Sequence, residues 1–144
     1  MGSENLANLA KIGKLKVEPP AQEEFEGLLQ SGKTRLKDAL NMANALESRF
    51  DLAYNAAHSL ALAALRWHGY RSENRYLVFQ VLEHTLALDS AKWRILDLCH
   101  QRRNLSEYEG RLRVDEKLVA ELTAVAEQIL RGVEALGKVP LPDP

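Results

Sequence analysis

Apolar side chains recur at intervals of three and four residues along most of this 144-residue chain, which places them on one face of a helix. No segment shows the sustained alternation of apolar and polar residues that is typical of a strand. The pattern therefore predicts an all-α protein. We expect an antiparallel up-and-down helical bundle of four to five core helices, with a further short helix at the N-terminus.

Glycines and prolines divide the chain into three parts. Residues 1–19 are predicted to form an N-terminal arm or peripheral helix, because Gly13 and the prolines near residue 20 interrupt the helical spacing. Residues 20–137 are predicted to form the bundle itself. Residues 138–144 contain three prolines, which lack the amide hydrogen that a helix needs, so we expect a mobile tail.

The arm carries an apolar stripe of its own. Leu6, Leu9 and Ile12 follow one another at intervals of three residues and share one face of the predicted helix. An exposed stripe of this kind needs a partner, and a second subunit is one candidate.

Within residues 20–137 the spacing predicts five helices, and Gly32 falls in phase inside the first of them. Their approximate ranges are 20–46, 49–68, 73–88, 91–108 and 115–137. The second helix is rich in alanine, and small side chains on several faces allow close approach by more than one neighbour. We therefore expect it to be the central helix of the bundle.

Short polar side chains mark the predicted starts of these helices. Ser48, with Asp51 three residues later, has the spacing of a capping box for the second helix. Ser72 follows a turn at Gly69 and is predicted to cap the third helix. Asp89 and Asp115 are predicted to begin the last two helices.

Composition restricts the classes of function. The chain is 46% hydrophobic and 27% charged with a net charge of −1, which argues against non-specific packaging of DNA. No apolar run approaches the roughly 20 residues of a membrane span, and the N-terminus lacks a signal-peptide core. We therefore expect a cytoplasmic protein without membrane contact. The single cysteine, Cys99, lies among apolar residues and is expected to be a small buried side chain.

The histidines suggest a metal site that the rest of the sequence does not support. His58, His84 and His100 fall on three successive predicted helices, as in bundles that take one ligand from each helix. The chain contains no His-Glu-x-x-His and no Glu-x-x-His pair. We expect no metal and no cofactor.

The segment 100–110 contains the strongest candidate chemistry. Polar groups continue the buried side of an otherwise apolar helix there, and at 100° per residue they share an arc of about 140°. They are His100, Arg103, Asn104, Glu107 and Tyr108. Arginine binds phosphate bidentately, asparagine and tyrosine form hydrogen bonds, and tyrosine also stacks on bases. The alternative is a solvent-facing helix end on which Arg103 and Glu107 form a surface ion pair.

The combination resembles the HEPN superfamily (higher eukaryotes and prokaryotes nucleotide-binding) over roughly residues 22–136. The resemblance depends on the alanine-rich helix with Tyr54, the Gly69 turn, His84, and the Arg103-Asn104-(x)3-Tyr108 run. It implies an antiparallel helical bundle that dimerises. Many such proteins are metal-independent endoribonucleases with an Arg-(x)4–6-His motif, and others are non-catalytic binding partners of nucleotidyltransferase-like proteins.

The chain departs from that motif at one position. Arg103 matches the arginine and Asn104 the polar residue after it, but Tyr108 occupies the place of the histidine. A tyrosine with a pKa near 10 is a poor base at pH 7, so the variant predicts binding before catalysis. In this interpretation Arg103 holds phosphate, Asn104 contacts a sugar or phosphate oxygen, and Tyr108 stacks or donates a hydrogen bond. His100 and Glu107 support them from the same face.

We therefore expect a homodimer that binds RNA or a nucleotide, in a toxin–antitoxin or nucleotidyltransferase-linked system with a nucleotidyltransferase-like partner. Two alternatives remain open. One is a metal-independent endoribonuclease that uses Arg103 with Tyr108 or His100. The other is a non-catalytic, antitoxin-like protein-binding module, in which the stripe of Leu6, Leu9 and Ile12 is the contact surface.

Overall fold

Helices account for most of the residues that the computed structural model describes, which are residues 2–140. The helices are α1 (Gly2–Lys11), α2 (Gln22–Ala39), α3 (Leu46–Trp67), α4 (Arg75–Gln80), α5 (Leu82–Thr85), α6 (Ser90–Glu109) and α7 (Glu116–Leu136). Two short strands, β1 (Lys16–Val17) and β2 (Tyr70–Arg71), pair antiparallel. The prediction of an all-α bundle is confirmed. The two-residue strands escaped prediction because so short a segment cannot display alternation.

Contacts at both ends of α3 show that α2 runs antiparallel to it. At the start of α3, Arg49 Nε donates to the carbonyl of Ala39 at the end of α2 (3.3 Å). At the other end, Arg66 Nε donates to Glu24, near the start of α2 (2.6 Å). The two helices therefore lie side by side along most of their length.

The other two long helices continue the alternation. Arg49 also pairs with Glu116 at the start of α7, whereas Trp67 Nε1 at the end of α3 donates to the carbonyl of Lys138 just beyond α7. Helix α7 therefore runs in the same direction as α3. Helix α6 packs against α7 and turns back into it through the short loop 110–115, so α2, α3, α6 and α7 run alternately up and down.

Small side chains let α3 occupy the centre of the bundle. Its alanines at 53, 56, 57, 61, 63 and 64 are fully buried. Gly32 of α2 faces Leu60 so closely that a Cβ atom at this glycine would lie 2.5 Å from Leu60 Cγ. Helix α2 passes through Gly32 without a break, as the sequence predicted.

The connection between α2 and α3 corrects one predicted helix start. Helix α2 ends at Ala39, and α3 begins at Leu46, so the proposed capping box at 48–51 lies inside α3 and is wrong. The asparagines of the loop explain the difference. Asn41 Oδ1 accepts a hydrogen bond from the amide of Ala43, and Asn44 Nδ2 donates to the carbonyl of Asp38. These side chains compete with helical hydrogen bonds and end α2 early.

The predicted third helix is also corrected. It is divided at Val81 into α4 and α5, and its cap is Asn74, whose Oδ1 accepts from the amide of Leu77 (3.1 Å). Ser72 instead accepts from the amide of Asn74. The other two caps are confirmed, because the carboxylates of Asp89 and Asp115 each accept from a backbone amide three residues later.

A buried ionic network joins the N-terminal arm to the bundle. Arg66 is 2% exposed and donates to Glu24 and to the carbonyls of Glu18 and Pro19. Arg71 pairs with both glutamates. The hydrogen bond from Arg71 lowers the pKa of Glu18; burial alone would raise the pKa of Glu24, but hydrogen bonds from both arginines lower it. Both carboxylates are therefore held in the ionised form.

The apolar stripe of the arm is covered by the same chain, which corrects the expectation of an exposed surface. Leu6 is fully buried, since α1 packs against α5, and Leu9 is partly buried. Only Ile12, 69% exposed, projects as expected. The stripe therefore offers little free surface for a second subunit.

Part of the predicted mobile tail lies against the bundle. Lys138 accepts the hydrogen bond from Trp67, and the amide of Val139 donates to Gln22 Oε1 (2.8 Å). The remaining tail residues, 141–144, lie outside the described residues. None of the helices within residues 2–140 is long and apolar enough to cross a bilayer.

Candidate functional site

The polar face of α6 packs across the ring of Tyr54, which α3 holds fully buried. Tyr54 Oη lies 2.9 Å from His100 Nδ1, and Asn104 Nδ2, one helical turn further, donates to His100 Nε2 (3.1 Å). Because Nε2 accepts, the neutral imidazole carries its hydrogen on Nδ1 and donates it to the tyrosine oxygen. His100 is therefore fixed in orientation between two hydrogen-bonding partners.

Two guanidinium groups from different helices converge on the same tyrosine. Arg103 Cζ of α6 lies 5.3 Å from the centroid of the Tyr54 ring, and Arg75 Cζ of α4 lies 5.8 Å from it. Both distances suit cation–π attraction to the ring. We call Arg75 and Arg103 the arginine pair. Both guanidinium groups lie near the same ring, and an anion that contacted both of them would be stabilised by two positive charges.

The immediate partners of the arginine pair leave much of its charge uncompensated. Arg103 Nη1 is 3.6 Å from a carboxylate oxygen of Glu107, whose side chain is largely exposed. Arg75 Nη1 donates to the amide oxygen of Asn55 (3.0 Å), which carries no charge. Within residues 2–140, no carboxylate oxygen lies within ion-pair distance of Arg75. The carboxylate of Asp97 acts on His100 from the same side, but Arg75 itself is left without a carboxylate partner among the described residues.

This positive charge shifts the titration of nearby groups. Burial lowers the pKa of His100, and the charges of Arg103 and Arg75 lower it further, against an opposing effect of Asp97. Burial and the same two arginines lower the pKa of His58 to about 4. Burial raises the pKa of Tyr54 even though the arginines act to lower it. At neutral pH the two imidazoles and the phenol are thus uncharged, and the arginines provide the charge.

Aromatic rings extend the site along the contact between α4 and α6, and we call the surface formed by His100, Tyr76 and Trp93 the groove. The ring of Tyr76 lies 5.3 Å from that of His100 and 6.0 Å from that of Trp93, measured between centroids. All three side chains are partly exposed. The groove therefore presents stacking surfaces beside the positive charge.

The structure brings together four of the five residues selected from the sequence. His100, Arg103 and Asn104 meet at Tyr54, and Glu107 joins them through its ion pair with Arg103. Arg103 and Glu107 are four residues apart, so their ion pair also fits the alternative interpretation, a helix end that faces solvent. Tyr108 is 87% exposed and lies about 140° around α6 from Arg103. Its predicted contact with a ligand stays a prediction.

Sequence reasoning missed two functional candidates, Arg75 and Tyr76. The apolar spacing of the predicted helix 73–88 includes Tyr76, so this side chain counted as part of the core, and Arg75 is a single arginine next to it with no pattern of its own. Tyr54 was noted as part of the resemblance but received no role. The only signal in the sequence was an arginine and a tyrosine directly after the helix cap at Asn74. This pattern is too common to identify a functional site by itself.

The three histidines of the metal hypothesis lie in different surroundings. His84 Nδ1 is 3.3 Å from Asn5 Nδ2 of α1, while His58 packs edge-on against Phe79, with 5.9 Å between ring centroids. No group of three His, Cys, Asp or Glu side chains among residues 2–140 is placed to hold a metal ion. Cys99 is buried, and burial raises its pKa to about 12, so its thiol is unreactive at neutral pH.

A second basic surface lies on the opposite side of α6. An open cavity of about 510 Å³ is lined by Arg102, Arg111, Arg113 and Lys117 together with the acidic Asp115 and Glu121. Arg102 Nη1 donates to the carbonyl of Arg113 (3.1 Å). Because acidic side chains share this wall, its charge is mixed. Arg102 is therefore a useful comparison for its neighbour Arg103.

Fold and site together define a class of protein: an up-and-down helical bundle with paired arginines over a buried tyrosine and an aromatic groove beside them. Comparisons with protein families, with curated proteins and with solved structures find no significant match. The chemistry of the arginine pair is therefore the starting point for function.

Proposed function

We propose that this chain is a nucleotide- or RNA-binding protein of the HEPN type and that it binds phosphate between Arg75 and Arg103. The observation that carries the proposal is the convergence of these guanidinium groups on the ring of Tyr54, at 5.8 and 5.3 Å. A phosphate oxygen bridging both groups would replace their mutual repulsion with two charge-assisted hydrogen bonds. The tyrosine ring attracts both cations without neutralising them, so it keeps the pair ready for the anion.

The neighbours of the arginine pair complete the proposed site. Asn104 uses its amide nitrogen on His100, which leaves its carbonyl oxygen to accept a hydrogen bond from a sugar hydroxyl. Tyr76 offers a ring on which a base can stack. Glu107 and Tyr108 lie further along α6 and would contact a ligand that extends toward the end of this helix.

The resemblance adds a biological setting to the proposal. It implies a homodimer that acts in a toxin–antitoxin or nucleotidyltransferase-linked system, and the cytoplasmic location expected from the sequence agrees with that setting. Sedimentation equilibrium of the purified protein tests the oligomeric state, and a monomer at micromolar concentration would contradict that part. Co-purification with an encoded nucleotidyltransferase-like neighbour tests the partner.

One observation supports a ribonuclease as a second candidate. His100 is neutral, is held by hydrogen bonds of 2.9 and 3.1 Å, and lies beside the arginine pair. A neutral imidazole is suited to accept the proton of a ribose 2′-hydroxyl while arginines stabilise charge on the phosphorus. His100 is thus a better base than Tyr108 for this reaction. Its bonds to Tyr54 and Asn104 would have to rearrange for one nitrogen to reach the hydroxyl.

Binding of labelled RNA oligonucleotides and competing nucleotides, followed by fluorescence anisotropy at low salt, tests the main proposal. Arg75→Ala and Arg103→Ala should each weaken binding by about tenfold or more, because each removes a charge-assisted contact. Arg102→Ala, one position away and about 100° around α6, should change affinity by less than about twofold, because Arg102 lines a different cavity. Circular dichroism verifies that each variant is folded. Wild-type affinity in both folded variants of the arginine pair would overturn the proposal.

Incubation with mixed RNA in the presence of a chelator tests the ribonuclease. Cleavage that is lost in His100→Gln and in Arg103→Ala but retained in Tyr108→Phe would support His100 as the base. Absence of cleavage by a protein that still binds RNA would leave the binding function alone.

A further inference from the structure

A cavity lies next to the aromatic rings that border the arginine pair. This cavity has a volume of about 270 Å³ and is lined by Gln80, Glu83, Leu88, Ser90 and Trp93. Trp93 and His100 are seven residues apart and share one side of α6. Trp93 therefore belongs both to the lining of the cavity and to the row of rings that reaches the arginine pair.

Aromatic rings connect the two ends of this groove. Tyr76 lies between them, 5.3 Å from the ring of His100 and 6.0 Å from the ring of Trp93. At these separations the rings pack against one another, so unpaired bases can stack on their exposed faces but not between them. A chain of bases could therefore follow the groove from the arginine pair to the cavity.

The length of the groove distinguishes a strand from a single nucleotide. Trp93 and Arg103 are ten residues apart in α6, which corresponds to about 15 Å along the helix axis at 1.5 Å per residue. Successive phosphates of a stacked strand are about 3.4 Å apart along its axis. A strand of several nucleotides, rather than a single one, is therefore the ligand that we expect to extend along α6 from the arginine pair to Trp93.

The two ends of the groove differ in charge and therefore favour different parts of the ligand. The lining of the cavity contains no lysine or arginine, and it contains the carboxylate of Glu83. Asp97 lies between the two ends, and burial together with its charge raises the pKa of Tyr76. Carboxylates repel phosphate but accept hydrogen bonds from the amino groups of bases. Phosphate is thus favoured at the arginine pair and a base in the cavity.

We propose that this cavity is a base-binding subsite for a single-stranded nucleic acid whose backbone lies on the arginine pair. A base with an exocyclic amino group stacks on Trp93 and donates a hydrogen bond to the carboxylate of Glu83. Gln80 and Ser90 supply further hydrogen-bonding groups at the rim. This inference rests on the proposed function for its phosphate end, and it adds the strand and the preferred bases.

Ligand length provides the first test, with binding of adenosine monophosphate and of the tetranucleotide rA4 measured in parallel. Wild-type protein should bind rA4 at least about tenfold more tightly than the mononucleotide, since stacking of a base contributes on this scale. Trp93→Leu should remove most of this gain without changing affinity for the mononucleotide. Leu98→Ala, on the other side of α6, serves as the control.

The variants separate this inference from the proposed function. If Trp93→Leu binds rA4 like the wild type while Arg103→Ala does not, the base subsite is wrong and the phosphate site stands. If Arg103→Ala leaves affinity for both ligands unchanged, the proposed function itself fails. In a Trp67→Phe background, the fluorescence of Trp93 should be quenched by rA4 and not by the mononucleotide. Equal responses to the two ligands would contradict the subsite.

Base identity provides the second test. Wild-type protein should prefer rA4 and rC4 over rU4 by about fivefold or more, because uracil lacks an exocyclic amine and a good base contact discriminates on this scale. Glu83→Gln should reduce this preference, whereas Glu73→Gln, outside the cavity, should retain it. Equal affinity of the wild type for all three tetranucleotides would overturn the assignment of Glu83.

Discussion

At the scale of single residues, Tyr54 combines two functions in one side chain. Its ring holds the arginine pair by cation–π attraction, and its hydroxyl oxygen accepts the hydrogen bond of His100. The ring is fully buried among the helices, so neither function depends on the movement of a loop. The position of the charge and the orientation of the imidazole therefore depend on the packing of α3.

Substitution of Tyr54 separates the two functions. Tyr54→Phe keeps the ring, so anion affinity should stay within about threefold, while the free energy of unfolding falls by about 1–2 kcal/mol because His100 loses a partner. Tyr54→Leu removes the ring as well and should weaken anion binding by a further factor of about five. Urea unfolding and anion titration measure the two effects. A Phe variant that loses binding as completely as the Leu variant would show that the hydroxyl, not the ring, organises the site.

The buried histidines predict how stability depends on pH. The pKa of His58 is about 4 in the folded protein and about 6.5 in an unfolded chain, and the pKa of His100 is lowered in the same direction. Below pH 6.5 the unfolded chain binds protons that the folded protein does not. The free energy of unfolding should therefore be highest above about pH 7 and should fall between pH 6.5 and 4, by at most about 1.4 kcal/mol per pH unit for each histidine.

Urea denaturation at a series of pH values measures this dependence, and His58→Gln provides the comparison. The variant should show a shallower decline between pH 6.5 and 4.5. The pKa values of Glu18 and Glu24 are lowered in the folded protein. The free energy of unfolding should therefore fall further at lower pH, where the carboxylates of the unfolded chain become protonated. If the free energy of unfolding of His58→Gln fell as steeply as that of the wild type above pH 4.5, the role of His58 would be contradicted.

At the scale of helices, the packing of α2 on α3 depends on one glycine. Gly32 and Leu60 are in such close contact that any added side-chain atom must displace the leucine. Gly27 lies in the same helix, but a Cβ atom there would meet no other atom within 4 Å. The two glycines therefore share a backbone conformation and differ in their surroundings.

Alanine at these two positions should have opposite effects. Gly32→Ala should lower the free energy of unfolding by about 1–3 kcal/mol, because overpacking exceeds the gain in helix propensity. Gly27→Ala should raise it by up to about 1 kcal/mol from propensity alone. Thermal and urea denaturation of both variants test this. A stabilised Gly32→Ala protein would show that Leu60 relaxes easily and that the close approach is not required.

Helix boundaries were predicted correctly where nearby residues determine them. The prediction failed where contacts with residues distant in the sequence determine the structure. Asp89 and Asp115 cap their helices through amides three residues away, so a short window contains all of the information. The break at Val81 has no such local signal. Of the arginine pair, Arg103 could be predicted, because it extends an apolar helix face. Arg75 gains its role only when α4 packs beside α3.

At the scale of the whole molecule, charge is distributed unevenly although the sum is nearly zero. The net charge is −1, but two arginines converge at Tyr54. At the far end of α3, two further arginines are neutralised by Glu18 and Glu24. Attraction for nucleic acid should therefore come from one place on the surface rather than from the molecule as a whole.

Salt dependence of binding should report this locality. With one phosphate held between the two arginines, the logarithm of affinity for a single strand should fall with the logarithm of salt concentration with a slope of about −0.7. Arg103→Ala should make that slope shallower, whereas Arg102→Ala should leave it unchanged. Anisotropy titrations over a range of salt concentrations supply the slopes. A slope of −4 or steeper would indicate a far more extended basic contact surface.

The covering of Leu6 has a consequence for the order in which the protein matures during synthesis. Helix α1 is translated before the rest of the bundle, and α5, which packs against it, is made some seventy residues later. The hydrogen bonds from Trp67 to Lys138 and from Val139 to Gln22 similarly cannot form until residues 138 and 139 have been translated. A nascent chain that ends before α5 therefore exposes an apolar helix face, which is the kind of surface that chaperones bind. Assembly of the bundle is complete only when its last helix has been translated.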